Sequence, residues 1–315
     1  MRGKYENLID AETWAFIDKS LTFYPADADD HSIAEQREFY NNLCKYFHAG
    51  YPDGVTAHDE EIPGKGGPIP IRRYHMTGAT PAAQVVYYHG GGYVVGGLHS
   101  HDDVCAEICA RTGFPVTSID YRLAPENAYP DDFNDALAGF EHAAYQSDLP
   151  VIVTGDSAGG NLSAAISHAT RTSAKKPVGQ VLIYPALDSD LTKGTYIEHA
   201  EAPMLTTRET VFYKTVRVNS KMELLLDPTC NPLNDTDYSG LPPTVIISAQ
   251  CDPLSGDGNI YQQRIEAAGG KAVWFNEIGL IHGYLRARHS VKRARTSFTR
   301  IIDAINALGR GNWPY

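Results

Sequence analysis

Several classes are excluded by what the chain lacks. No run of about 18 apolar residues occurs, so no helix is expected to span a bilayer. The opening stretch MRGKYENLIDAETWAFIDKS has a basic start but no apolar core, and it does not read as a secretory leader. Basic residues are in deficit, 27 against 38 acidic, for a net charge of −11. That balance argues against binding to nucleic acid or an anionic membrane surface, and it makes a neutral small molecule the expected substrate. Cysteines are few, odd in number and scattered: Cys44, Cys105, Cys109, Cys230 and Cys251. They form no disulfide framework and lack the paired spacing of a zinc site, so they read as buried small apolar residues. With no leader and no disulfides, the expected compartment is the cytoplasm. Internal repeats and low-complexity tracts are also missing.

What is present is an alternation. Residues 55–62 and 69–76 flank a Gly/Pro-rich connection and read as an antiparallel pair. Short apolar runs follow at 84–88, 115–120, 150–154, 180–184, 243–249 and 272–277, separated by helical patterns at 101–112, 131–147, 158–172, 257–268 and 284–307. Strands that are apolar throughout and alternate with helices predict an α/β fold with a mostly parallel sheet covered on both faces. Two stretches break the pattern. The first, 1–54, shows helical spacing at Trp14, Ile17 and Leu21, then at Phe39, Leu43, Tyr46 and Phe47. The second, 188–240, loses its strand signals around a helical piece at 207–218. We read these two as a cap over a core formed by 55–187 and 241–315.

Four motifs fall at the predicted carboxyl ends of strands, where open α/β sheets bind ligands. Gly155-Asp156-Ser157-Ala158-Gly159 fits G-x-S-x-G between a strand and a helix, a sharp turn that exposes a nucleophilic serine. His89-Gly90-Gly91-Gly92-Tyr93 offers main-chain amides with no side chain in the way. The amides of Gly90 and Gly91, with that of Ala158, are the expected oxyanion donors. Asp252-Pro253-Leu254 supplies a carboxylate and His282-Gly283-Tyr284 an imidazole. The order Ser157, Asp252, His282 suits a serine nucleophile, an orienting acid and a base.

Rival residues are weighed by position. Asp257 falls in the first turn of the next helix, where a carboxylate is favoured anyway. His289 sits in a basic segment with Arg286, Arg288 and Lys292, expected to be solvated. His99-Ser100-His101-Asp102-Asp103 reads as a helix start, not as a metal site, and no metal is expected. His89 is expected to anchor its loop, and 121–126 to pack beneath the site. The expected substrate pocket is formed by Tyr93, Asp156, Met204 and Phe212, with Tyr24, Tyr40, Phe47, Leu205 and Tyr213 as further apolar contributors from the cap.

Taken together, His89-Gly90-Gly91-Gly92-Tyr93, Tyr121-Arg122-Leu123-Ala124-Pro125-Glu126, Gly155-Asp156-Ser157-Ala158-Gly159-Gly160, Asp252-Pro253-Leu254 and the segment 279–284 resemble the hormone-sensitive lipase family of α/β-hydrolases, also called bacterial esterase family IV. The resemblance spans about residues 85–285. It implies an eight-stranded hydrolase sheet with a helical cap, hydrolysis of short- to medium-chain carboxylic esters, and no cofactor. One departure stands out. The family follows Asp-Pro-Leu with an Asp-Glu-Gly-type sequence, whereas this chain has Ser255-Gly256-Asp257-Gly258, where the resemblance makes Asp257 the expected stand-in for the usual Glu at the helix start. The expected partner is a small-molecule ester, and the resemblance is compatible with a homodimer. An amidase or arylformamidase with the same three residues, and a non-catalytic ligand receptor on the same fold, are the alternatives.

Overall fold

The computed structural model describes residues 3–25 and 27–315. Its centre is an eight-stranded sheet. The strands are β1 (Val55–Ile62), β2 (Ile69–Met76), β3 (Gln84–Tyr88), β4 (Val116–Ile119), β5 (Val151–Asp156), β6 (Gly179–Ile183), β7 (Thr244–Cys251) and β8 (Ala272–Ile281), in the order β1-β2-β4-β3-β5-β6-β7-β8. β1 and β2 run antiparallel, from Val55 opposite Met76 to Ile62 opposite Ile69, and β2 is antiparallel to β4. All remaining pairs are parallel.

β3 to β6 are buried at every position because helices cover both faces. Alternate side chains serve opposite layers. Val85, Tyr87, Ile152, Val181 and Ile183 join one core; Val86, Tyr88, Val151 and Val153 join the other.

The helices are α1 (Ala11–Ser20), α2 (Ile33–Phe47), α3 (Asp102–Thr112), α4 (Asp131–Gln146), α5 (Ala158–Thr170), α6 (Thr195–Glu198), α7 (Thr207–Arg217), α8 (Ser255–Ala267) and α9 (Lys292–Gly309). Local chemistry sets their starts. Ser32 with Glu35, and Thr206 with Glu209, form capping boxes at α2 and α7. α5 is buried almost all round, as befits a Gly/Ala/Ser-rich helix at the centre of the molecule. α9 packs one face, Phe298, Ile301, Ile302, Ile305 and Leu308, against the core.

Three sequence expectations need correction. The stretch 284–307 is not one helix: a 3-10 turn, Tyr284–Ala287, follows Gly283 at φ 74°, and α9 begins only at Lys292. The basic segment is solvated only in its later part, where Lys292, Arg293 and Arg295 are exposed. Arg288 is buried and bonds Asp103 and Glu107 of α3 at 2.6 and 2.8 Å, and Arg286 is largely enclosed. His289 is half exposed, 3.0 Å from Glu107. In the N-terminal segment Trp14 and Ile17 are buried, but Leu21 and Tyr46 point outward. The five cysteines are buried and free. No helix among the described residues is long and apolar enough to cross a membrane.

Candidate active site

β5 delivers Ser157 to the carboxyl edge of the sheet, and α5 begins at the next residue. Ser157 is held at φ 55°, ψ −116°, a conformation costing an L-residue roughly 1–3 kcal/mol. Its backbone is fixed from both sides: its N–H donates to Ile183 (2.8 Å), and its carbonyl accepts from Asn161 (3.0 Å). The turn also requires Gly159, where a Cβ would fall on the carbonyl of Tyr88 in the adjacent strand. Among the described residues, six other than glycine have positive φ, and four of them, Tyr93, Ser157, Tyr184 and Met204, line the cleft above this edge.

The three residues distant in sequence meet there. The Ser157 hydroxyl lies 2.9 Å from His282 Nε2, and His282 Nδ1 lies 2.7 Å from Asp252 Oδ2. Asp252 follows β7 and is fully buried; its second oxygen accepts the N–H of Leu254 at 2.9 Å. With that carboxylate as acceptor, Nδ1 carries the ring proton and Nε2 is left as the base facing the hydroxyl. A hydroxyl, an imidazole and a buried carboxylate in series can withdraw the serine proton as the oxygen attacks an electrophile. His282 reaches this point because β8 continues to Ile281, beyond the expected end at 277.

Neither rival enters the chain. Asp257, on α8, accepts from the N–H groups of Leu187 and Asp188 and the hydroxyl of Tyr196, at 2.7, 3.0 and 2.8 Å. Burial pushes its carboxyl up to about 7. It thus ties α8 to the segment after β6. The His-rich stretch before α3 is likewise engaged elsewhere: Asp102 accepts from Arg72, Tyr51 and Tyr74, and His101 faces Asp156.

Gly90 departs from expectation. Its N–H donates to Asp156 Oδ1 at 3.0 Å and is not turned to the cleft. Gly91, Gly92 and Ala158 line the cleft instead. Asp156 is the anchor of the glycine loop. It also accepts from Tyr87 (2.8 Å), Tyr184 (3.2 Å) and His101 (3.2 Å). Burial alone would raise its carboxyl; the His101 ring, the Tyr87 hydroxyl and nearby Arg286 outweigh that and hold it well below the usual carboxylate range. His89 steadies the loop from beneath. Its Nδ1–H donates to the Gly90 carbonyl (2.8 Å), its ring stacks on Tyr121 at 4.3 Å, and burial lowers it to about 4, so the ring is neutral.

The cleft encloses about 1020 Å³ with its open mouth included. Tyr93, Asp156 and Met204 line it as expected, and Tyr24, Tyr40 and Leu205 contribute as well. Phe212 does not. The next residue, Tyr213, takes that place, its ring so close to the glycine loop that a Cβ on Gly92 would stand 2.5 Å from it. Phe47 packs on Phe16 at 4.9 Å, outside the lining. The Tyr213 and Tyr24 hydroxyls bond at 2.9 Å, joining α7 to the N-terminal segment. Two cations in the lining, Lys214 and Arg286, escaped the sequence reading. Burial lowers the Lys214 ammonium to about 8.

A family model described as alpha/beta hydrolase fold matches residues 85–286. The chain is 35% identical over 293 residues to carboxylic ester hydrolase LipN of Mycobacterium tuberculosis, covering 89% of this chain and 77% of the relative. It is 31% identical over 256 residues to an ethyl acetate hydrolase of Pseudomonas putida, covering 76% and 79%. Among solved structures, an esterase of Pyrobaculum calidifontis superposes with a TM-score of 0.84 at 32% identity, over 89% of this chain and 94% of that one.

Proposed function

The chain belongs to the alpha/beta hydrolase fold family, and from that premise we propose that it is a serine carboxylic ester hydrolase acting on short- to medium-chain esters through an acyl-enzyme on Ser157. The single observation that carries this reading is the continuous chain from the Ser157 hydroxyl through His282 to buried Asp252, at 2.9 and 2.7 Å.

In this mechanism Ser157 Oγ attacks the ester carbonyl while His282 Nε2 takes its proton. The amides of Gly91, Gly92 and Ala158 stabilise the negative oxygen of the tetrahedral intermediate; each such donor is worth about 10²–10³ in rate. His282 then gives its proton to the leaving alcohol, and a water molecule repeats the sequence to release the acid. Asp252 keeps the imidazole in the working tautomer and stabilises its cation. The segments 1–54 and 188–240 serve as the cap over a core of 55–187 and 241–315. Tyr24, Tyr40, Met204 and Tyr213 from the cap close an apolar cleft over the serine and favour acyl chains of modest length.

The test is release of p-nitrophenol from p-nitrophenyl butyrate by the purified protein, compared with Ser157→Ala and with a butyryl anilide. Turnover of the ester that Ser157→Ala abolishes supports the reading. A serine-independent rate, or a faster anilide than ester, overturns it.

A further inference from the structure

Lys and Arg side chains at less than one-tenth exposure number four among the described residues: Arg72, Lys214, Arg217 and Arg288. A buried cation is costly unless a carboxylate accompanies it. Three have one. Arg72 meets Asp59 and Asp102 at 2.6 and 2.8 Å, Arg217 meets Asp132 at 2.7 Å, and Arg288 meets Asp103 and Glu107. Lys214 has no carboxylate within 4.0 Å among the described residues, and it is the only one of the four that lines the cleft.

Its one hydrogen-bond partner is the side-chain oxygen Oδ1 of Asn231, whose orientation is fixed because Asn231 Nδ2 donates to the Leu225 carbonyl at 2.9 Å. An ammonium carries three donors, so two are left over. The acids of the lining are engaged elsewhere. Asp156 holds the glycine loop, and Glu209 accepts from the N–H and hydroxyl of Thr206 at 2.7 Å each to cap α7. Outside the lining, Asp188 bonds Lys193 at 3.1 Å, and Asp257 is held by its three donors. The second cation of the lining, Arg286, shows the same pattern: it donates to the Ser100 carbonyl and the Tyr40 hydroxyl, both at 2.8 Å, and no carboxylate lies within 4.0 Å of it among the described residues. Lys214 directly follows Tyr213 on α7 and lines the same cleft as Ser157, Gly91 and Gly92.

We propose that the cleft is built for esters that carry a carboxylate, with Lys214 as the specificity-determining counter-charge. This rests on the ester-hydrolase reading above and narrows its substrate class. It also revises the expectation of a neutral substrate drawn from the net charge of −11. Salt screens that diffuse field beyond about 8–10 Å, whereas an ammonium in the cleft wall acts at contact range and out of bulk water.

The test measures kcat/KM at pH 7 for two matched pairs. Mono-p-nitrophenyl adipate against p-nitrophenyl hexanoate places the carboxylate on the acyl side; 4-butanoyloxybenzoate against 4-butanoyloxybenzamide places it on the alcohol side. The expected result is a preference of about tenfold or more for the charged member of one pair. That ratio should collapse in Lys214→Met and Lys214→Gln and persist in Lys214→Arg, whatever the absolute rates. Ratios at or below one in both pairs, or a preference unchanged in the neutral variants, overturn the proposal while leaving the ester reading in place. Failure to turn over any of the four esters overturns the ester reading and this one with it.

Discussion

The floor and the roof of the cleft are made in different ways. The floor is the carboxyl edge of a parallel sheet, where β3, β5, β7 and β8 each end in a reacting or positioning group. Those groups are held by main-chain ladders and by one carboxylate, Asp156, with four donors around it. The roof is assembled from helices far apart in the chain, joined by side-chain contacts such as Tyr24 to Tyr213 and Tyr40 to Arg286. A floor of this kind places atoms to within a fraction of an ångström, as proton transfer demands. A roof of this kind sets which molecules fit. Substitutions in the floor should therefore alter rate, and those in the roof should alter choice.

The sharpest test of that division is Ser157→Ala, which is expected to lower kcat for p-nitrophenyl butyrate by ~10⁴-fold or more while the circular dichroism spectrum is unchanged. Asp156→Asn comes next. It keeps one acceptor oxygen but loses the charge facing His101 and cannot satisfy every donor, so the glycine loop loosens. A fall in kcat of roughly 10–100-fold is expected, less than the loss of the nucleophile, and full activity would remove Asp156 from the floor. In the roof, Tyr213→Ala should move the preferred acyl chain toward longer members by steady-state assay over a chain-length series, with rate on short esters changed only about threefold. Phe212→Ala should leave that profile as it is. Equal shifts from both would erase the distinction between lining and packing.

The smallest effect concerns Asp257, which lies in neither surface but pins α8 beneath them. Its carboxyl is raised by burial to about 7, above its ordinary range, so the folded state holds the proton longer than the unfolded one. That contribution is complete below the unfolded pKa near 4 and is lost as pH rises toward 7. Melting curves between pH 5 and 7 should show the wild type falling by a few degrees relative to Asp257→Asn; parallel curves would refute it.

The floor was largely legible because each of its groups announces itself next to a strand end: a serine between glycines, an aspartate after an apolar run, a histidine before a glycine. Where the reading failed, geometry invisible to spacing decided. Three consecutive glycines look equivalent, yet Gly91 at φ 126° and Gly92 at φ 59° turn their amides differently from that of Gly90, which faces Asp156. On α7 a single step from Phe212 to Tyr213 is a rotation of about 100°, and only the docking of the helix on the glycine loop fixes the phase. Arg286 and Arg288 resemble a solvated basic face because their partners, Ser100, Tyr40, Asp103 and Glu107, lie about 180 residues or more away in the chain. The charge of Lys214 was plain in the sequence; its solitude was not.

The Tyr40–Arg286 bond spans 246 positions. A ribosome emits the tyrosine long before the arginine exists, so this clasp can form only once the tail is made, whereas Arg37 of the same helix finds Val94, Ala124 and Glu126 much earlier in the chain. A nascent chain halted after α8 would thus hold Ser157 without His282 and without the tie that Arg286 gives to the N-terminal helices.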